Sequence, residues 1–174
     1  GVRGVRLVAD GIPATMPDGQ GQSATFSLSS ARRIEVLRGP FASLYGNASG
    51  GFIQTFTEDG PVRPTLRPSL SIGSYDSYRA GINLGGTAGP LNYVVDASRF
   101  QTDGYRDHSA ARRDHLNAKF RIGFAGGATL TGILNALEQP DTQDPLGLRR
   151  SQMQANPRQA DPAALLFDTR KSIV

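Results

Sequence analysis

The 174 residues contain no cysteine, no tryptophan and only two histidines and two methionines. Without cysteine there are no disulfides, thiolate metal sites or thiol nucleophiles, although this says little about compartment. Long apolar runs are also missing. No stretch approaches the roughly 18 apolar residues of a membrane-spanning helix, and runs such as Ala163–Phe167 are far shorter. That excludes helical spans and leaves strands open, because a β-barrel shows no such run. The opening GVRGVRLVAD lacks a basic segment followed by an apolar one, so an exported parent is expected to begin upstream of Gly1.

The chemistry of known sites is equally sparse. His108 and His115 lack the H-E-x-x-H or similar spacing that a metal needs. Asp141 and Asp144 lack the glycine and closing glutamate of a calcium loop. Gly46–Gly51 is followed by Phe52, where a phosphate loop needs lysine and serine or threonine. Ser49 has no G-x-S-x-G frame. The expectation is no enzyme, no cofactor and no metal site. The balance of 19 Lys+Arg to 15 Asp+Glu gives +4. The arginine pairs Arg32-Arg33, Arg112-Arg113 and Arg149-Arg150 lie far apart and without a stacking platform, which argues against a nucleic-acid partner. A solvated surface or a polar lumen suits these charges better.

Glycine is abundant: 21 residues, where about 12 would be average. Ala31–Thr57 uses several of them, in ARRIEVLRGPFASLYGNASGGFIQTFT. Arg33–Leu37 alternates charged and apolar side chains, as a half-buried strand does. Gly39-Pro40 breaks the run, since Pro40 has no amide hydrogen for a ladder. Phe41–Tyr45 has room for about one helical turn. Gly46, Gly50 and Gly51 allow a tight return, and Gly51–Thr57 reads as a second strand. Upstream, Val5–Ile12 alternates briefly and turns at Asp10-Gly11. Pro13–Gln22, with two prolines and two glycines, reads as an irregular loop.

This order of residues resembles the end of the plug domain of TonB-dependent outer-membrane receptors. The matching residues are Arg33–Pro40, Leu44-Tyr45-Gly46, Gly50-Gly51 and Phe52–Phe56, with Asp10, Gly11 and Pro13 upstream. The resemblance implies a plug-and-latch motif at Arg38, Gly39, Pro40, Tyr45, Gly46, Gly50 and Gly51. In it Arg38 would be held by acidic side chains of a barrel wall, on strands outside this chain. It also implies ligand contacts on the plug's outward loop at Met16, Asp18, Gln20 and Gln22. A solvated loop without contacts is the alternative reading there.

After Glu58-Asp59-Gly60-Pro61 the texture changes to repeated alternation. Thr65–Gly73, Ser77–Gly85, Leu91–Ser98 and His115–Phe124 each set apolar residues on one face and polar residues on the other; Ala128–Glu138 does so less clearly. Val94 and Phe100 fall on the polar face, the latter unless a bulge intervenes. Such strands fit an antiparallel sheet on a core, or a transmembrane barrel with its apolar face in lipid and its polar face lining the lumen. The connections Ser74–Asp76, Gly86–Pro90, Thr102–Arg112, Ala125–Gly127 and Gln139 to about Phe167 favour the barrel. Inside turns are short, outside loops grow, and a compact soluble domain rarely holds an unstructured loop as long as the last. Arg67, Arg79, Asp96, His115, Lys119 and Arg121 would face the lumen or the plug, solvated there or in contact with an anionic ferric chelate.

The expected fold is therefore all-β-dominated. Residues 1–59 would be the C-terminal half of a plug domain, and residues 60–174 about five strands and the start of a sixth, from a barrel that is 22-stranded in the intact family. The resemblance implies a fragment of a receptor for active uptake of a scarce nutrient, by default a ferric siderophore. Its partners would be TonB, through a missing N-terminal segment, and lipid of a Gram-negative outer membrane. A soluble β-rich binding or adhesion domain is the alternative.

Overall fold

The computed structural model describes residues 4–14, 27–39, 44–46 and 48–173. Strand accounts for 56% of it, against the 20–25% of an average domain, so the fold is β-dominated. The first sheet has four strands in the order β2-β1-β4-β3: β1 (Val5–Ala9), β2 (Ile12–Pro13), β3 (Ala31–Leu37) and β4 (Gly51–Thr57). β1 runs parallel to β4, with Leu7 opposite Ile53. β3 is antiparallel to β4, with Val36 opposite Ile53. Leu7, Val8 and Phe52 are buried and form the apolar centre of this sheet. β3 is its edge, and Ile34 and Val36 there stay exposed. Gly51 opens β4 at φ 124°, a conformation open to glycine and strained for other residues.

The second sheet has six strands in the order β10-β9-β8-β7-β6-β5. They are β5 (Thr65–Gly73), β6 (Ser77–Ala88), β7 (Leu91–Thr102), β8 (Ala111–Gly123), β9 (Thr129–Gln143) and β10 (Arg170–Ile173). β5 has the expected bounds; β6 to β9 run longer than their alternation alone indicates. Side-chain contacts pin the β6–β7 hairpin: Thr87–Asn92, Asn83–Asp96 and Ser77–Thr102 on the polar face, Tyr78–Gln101 on the other. Each step up one strand is matched by an equal step down its neighbour, so no bulge intervenes and Phe100 lies on the polar face.

The faces invert the usual soluble pattern. Asn83, Asp96 and Asn117 on the polar face are buried, while Leu66, Leu70, Ile72, Phe120, Leu130 and Leu134 on the apolar parity are exposed, Ile72 by 82%. Among the described residues no helix is long and apolar enough to cross a membrane, which says nothing of strands that cross.

The stretch from Gln139 to Phe167 departs from the loop expected there. Gln139–Gln143 continues β9 through Pro140, because β10 pairs with it and Asp141 takes a positive φ of 45° beside the proline. Two short helices follow, α1 (Arg150–Ala155) and α2 (Pro162–Phe167). Asp161 caps α2 by accepting from Ala163 N at 2.9 Å, and Pro162 preorganises its first turn.

The chain divides into two compact units. The first comprises residues 1–65, 83–96 and 117–134; the second comprises 66–82, 97–116 and 135–174. In the second, Arg106 organises the long connection. Its guanidinium donates to the carbonyls of Gln159, Leu146 and Pro145 at 3.0, 2.7 and 3.1 Å. Asp107 N donates to Arg158 O at 2.7 Å. His108 Nε2 lies 3.0 Å from Thr169 O and 3.6 Å from Asp168 Oδ1.

Candidate functional site

The first unit contains a polar junction between the four-stranded sheet and the ends of β6, β7 and β8. It starts at the turn after β1. Asp10, at φ 49°, accepts from Thr57 N at 2.8 Å and from Thr57 Oγ1 at 2.5 Å, tying β1's end to β4's end. Thr57 Oγ1 also lies 3.5 Å from Asn117 Oδ1.

The segment leaving β4 is then held at three successive residues. Asp59 accepts from Lys119 Nζ at 2.8 Å and from Arg121 Nη1 at 3.3 Å, while Lys119 also donates to Thr57 O at 3.0 Å. The hydrogen bond from Lys119 is the main reason that the Asp59 carboxyl lies below its usual range; burial opposes the shift, and the charges of Lys119, Arg121 and Arg32 add to it. Asn92 brackets Gly60, accepting from its N–H at 2.9 Å and donating to its carbonyl at 2.7 Å. Thr87 Oγ1 donates to Pro61 O at 3.2 Å. Gly60 itself lies flush on the strands: a Cβ there would sit 2.4 Å from the carbonyls of both Gly86 and Tyr93.

A second contact is of a different kind. Asp96, 1% exposed, accepts from Ser27 Oγ at 2.8 Å, Ser29 Oγ at 2.6 Å and Asn83 Nδ2 at 3.3 Å. All three donors are neutral. Period-two alternation places these groups, because Asn92, Val94 and Asp96 share one face of β7. Val94, apolar on a polar face, is buried there.

Of the residues singled out in the sequence, Tyr45 stacks on Phe52 with ring centroids 4.0 Å apart. Gly50 N donates to Gly4 O at 2.8 Å, and Gly51 N to Ala48 O at 2.9 Å, closing the glycine corner against β1. Gly46 has a φ of 83° and lies beside Arg6. Arg38 and Gly39 are exposed just past β3. Met16, Asp18, Gln20, Gln22 and Pro40 lie outside the described residues. Of the residues assigned by alternation to the plug or lumen side, Lys119 and Arg121 meet the end of β4 and its exit, and Asp96 meets the segment that precedes β3. Asp10 was singled out only as a turn residue matching the plug motif, and its partners' roles were not; Ser27, Ser29, Asp59, Gly60 and Asn92 were not singled out as site residues. Of these, only Asn92 carried a signal, its parity with Asp96.

A family model of the TonB-dependent receptor plug domain matches residues 1–52. The same order of parts, a plug sheet followed by barrel strands, occurs in the pyoverdine outer membrane receptor FpvA of Pseudomonas aeruginosa bound to pyoverdine. That structure matches with a TM-score of 0.67 at 20% identity, over 77% of this chain and 20% of FpvA. Residues 1–52 thus carry the plug domain of the TonB-dependent receptors. Among curated members, the metal-pseudopaline receptor CntO of Pseudomonas aeruginosa is 32% identical over 85 residues, 47% of this chain. The pesticin receptor of Yersinia pestis is 34% identical over 115 residues, 64% of this chain. The chain spans 12% and 16% of the length of these two receptors.

Proposed function

We propose that this receptor chain serves the capture of a scarce nutrient outside a Gram-negative cell and its energy-driven passage across the outer membrane. A ferric siderophore is the default cargo, and TonB the partner that remodels the plug. Residues 1–59 are assigned to the plug and 60–174 to the first barrel strands. The observation that carries this reading is the inversion of faces. Exposed leucine, isoleucine and phenylalanine on one side of β5–β9 suit lipid, and buried Asn83, Asp96 and Asn117 on the other suit a plugged lumen. In this reading Arg38 is a structural latch, since a guanidinium fork binds carboxylates bidentately. Met16, Asp18, Gln20 and Gln22 contact the cargo, and relatives named for siderophores and metal chelates support that class.

The test is expression of the complete reading frame in a bacterium lacking its own receptors. The expected result is recovery in the outer-membrane fraction and uptake of radioiron from a panel of ferric chelates, abolished by a protonophore or by loss of TonB. Recovery as a detergent-free soluble protein with a cooperative melt would instead identify a soluble β-rich binding domain.

A further inference from the structure

The segment from Thr57 to Pro61 is held at every residue, and from two directions. On one side is the four-stranded sheet. Thr57 donates to Asp10 after β1, and Glu58 N donates to Ser30 O just before β3 at 2.8 Å. On the other side are three strands of the six-stranded sheet. Lys119 and Arg121 of β8 hold Asp59, Asn92 of β7 brackets Gly60, and Thr87 of β6 donates to Pro61 O. Asn92 Nδ2 also donates to Thr87 Oγ1 at 2.9 Å, which joins two of these holds into one network. All of these groups belong to the first compact unit.

Close packing adds to the polar holds. A Cβ at Gly85 would sit 3.2 Å from Pro61 Cδ, and one at Gly86 would sit 3.0 Å from Pro64 Cα. The segment therefore runs flush over two successive glycines of β6. Pro61 and Pro64 also fix φ at their own positions. Hydrogen bonds to ionised groups are the stronger ones, and those from Lys119 and Arg121 meet at Asp59. A segment pinned by side chains of several strands moves only when those contacts break together, because the loss of one leaves the others in place. A fixed point of this kind also lets a pull on the plug distort it rather than shift it whole.

We propose that residues 57–61 are a fixed anchor: the plug sheet stays seated on β6–β8 here while cargo passes, and the rearrangement that opens a path lies upstream of Thr57. This deepens the receptor reading and rests on it. The alternative is departure of the plug as a single body, which would have to carry Asp59, Gly60 and Pro61 off three strands at once.

The test uses the receptor expressed from its complete reading frame. Pro61→Cys and Thr87→Cys are combined, and their thiols are bridged by a short bifunctional reagent with a cleavable disulfide. A covalent tie then replaces the Thr87 contact, and the mass of the joined peptides verifies it. Energised uptake of the radioiron chelate that wild type takes up is expected to stay within about twofold of the unbridged protein. Uptake that is lost on bridging and returns with reductant overturns the anchor. A second variant, Asn92→Ala with Lys119→Met, loosens the holds instead. It is expected to bind the same chelate as wild type does and to take it up roughly tenfold more slowly; uptake at the wild-type rate overturns the anchor. Amide exchange at Glu58 and Gly60 reads the anchor without transport, whether or not that variant folds. Both amides of the wild-type receptor should stay protected by about a hundredfold or more with chelate and TonB present. Exchange at the rate of an unfolded chain overturns the anchor and leaves the receptor reading standing. A wild type that takes up no chelate removes both.

Discussion

Asp59 and Asp96 are both carboxylates at the junction, yet they are held by different chemistry. Asp59 takes its donors from Lys119 and Arg121, which favour the ionised form. Its folded-state affinity for a proton is therefore below that of the unfolded chain. Stability from this contact is present above the ordinary carboxylate range near pH 4 and is lost as the pH falls through the lower folded value. Lys119→Met should remove most of that acid sensitivity, read as a smaller change in melting temperature between pH 6 and pH 3. Among the described residues, Asp96 has only hydroxyl and amide donors. Asp96→Ala would remove the buried acceptor shared by Ser27, Ser29 and Asn83, with an expected cost of about 1–3 kcal/mol measured by denaturant titration of the receptor. Asp96→Asn keeps an acceptor and should cost less.

At the scale of elements, the exit from β4 works through close approach. Gly60 lies so near the Gly86 and Tyr93 carbonyls that any side chain must push strands apart. Gly60→Ala is expected to destabilise by about 1–3 kcal/mol. Gly126→Ala, where a Cβ meets nothing within 4 Å, should leave the melting temperature within a degree or two. In the long connection, Arg106 joins Pro145, Leu146 and Gln159 with one planar group. Lysine keeps the charge without the fork, so Arg106→Lys should speed amide exchange across residues 145–161 at least tenfold, without altering exchange in β4. Unchanged exchange there would show that the loop does not depend on this residue. Alternation made β5 to β9 legible in the sequence, because period two survives wherever one face is apolar. It did not reveal strand ends, where turn geometry and neighbouring strands decide. Gln139–Gln143 was lost to view behind Pro140, whose missing N–H signals a break unless a partner such as β10 pairs around it.

For the whole molecule, the described six-stranded sheet ends in β5 on one side and β10 on the other, and these strands do not pair with each other. Open edges leave backbone groups without partners, which hydrocarbon does not tolerate. Residues 1–174 refolded alone into liposomes are therefore expected to show no energised uptake, and measured uptake would contradict this. Local order was the sequence's own contribution. The glycine corner at Gly50-Gly51, the β3 and β4 strands and the two-faced strands after Thr65 all follow from side-chain periodicity and backbone freedom, which act between near neighbours. Which polar residues meet was settled only by tertiary structure. Asp59 with Lys119, Asp96 with Ser27 and Ser29, and Gly60 with Asn92 join residues far apart in the chain, and strand register, summed over many ladder bonds, brings them together.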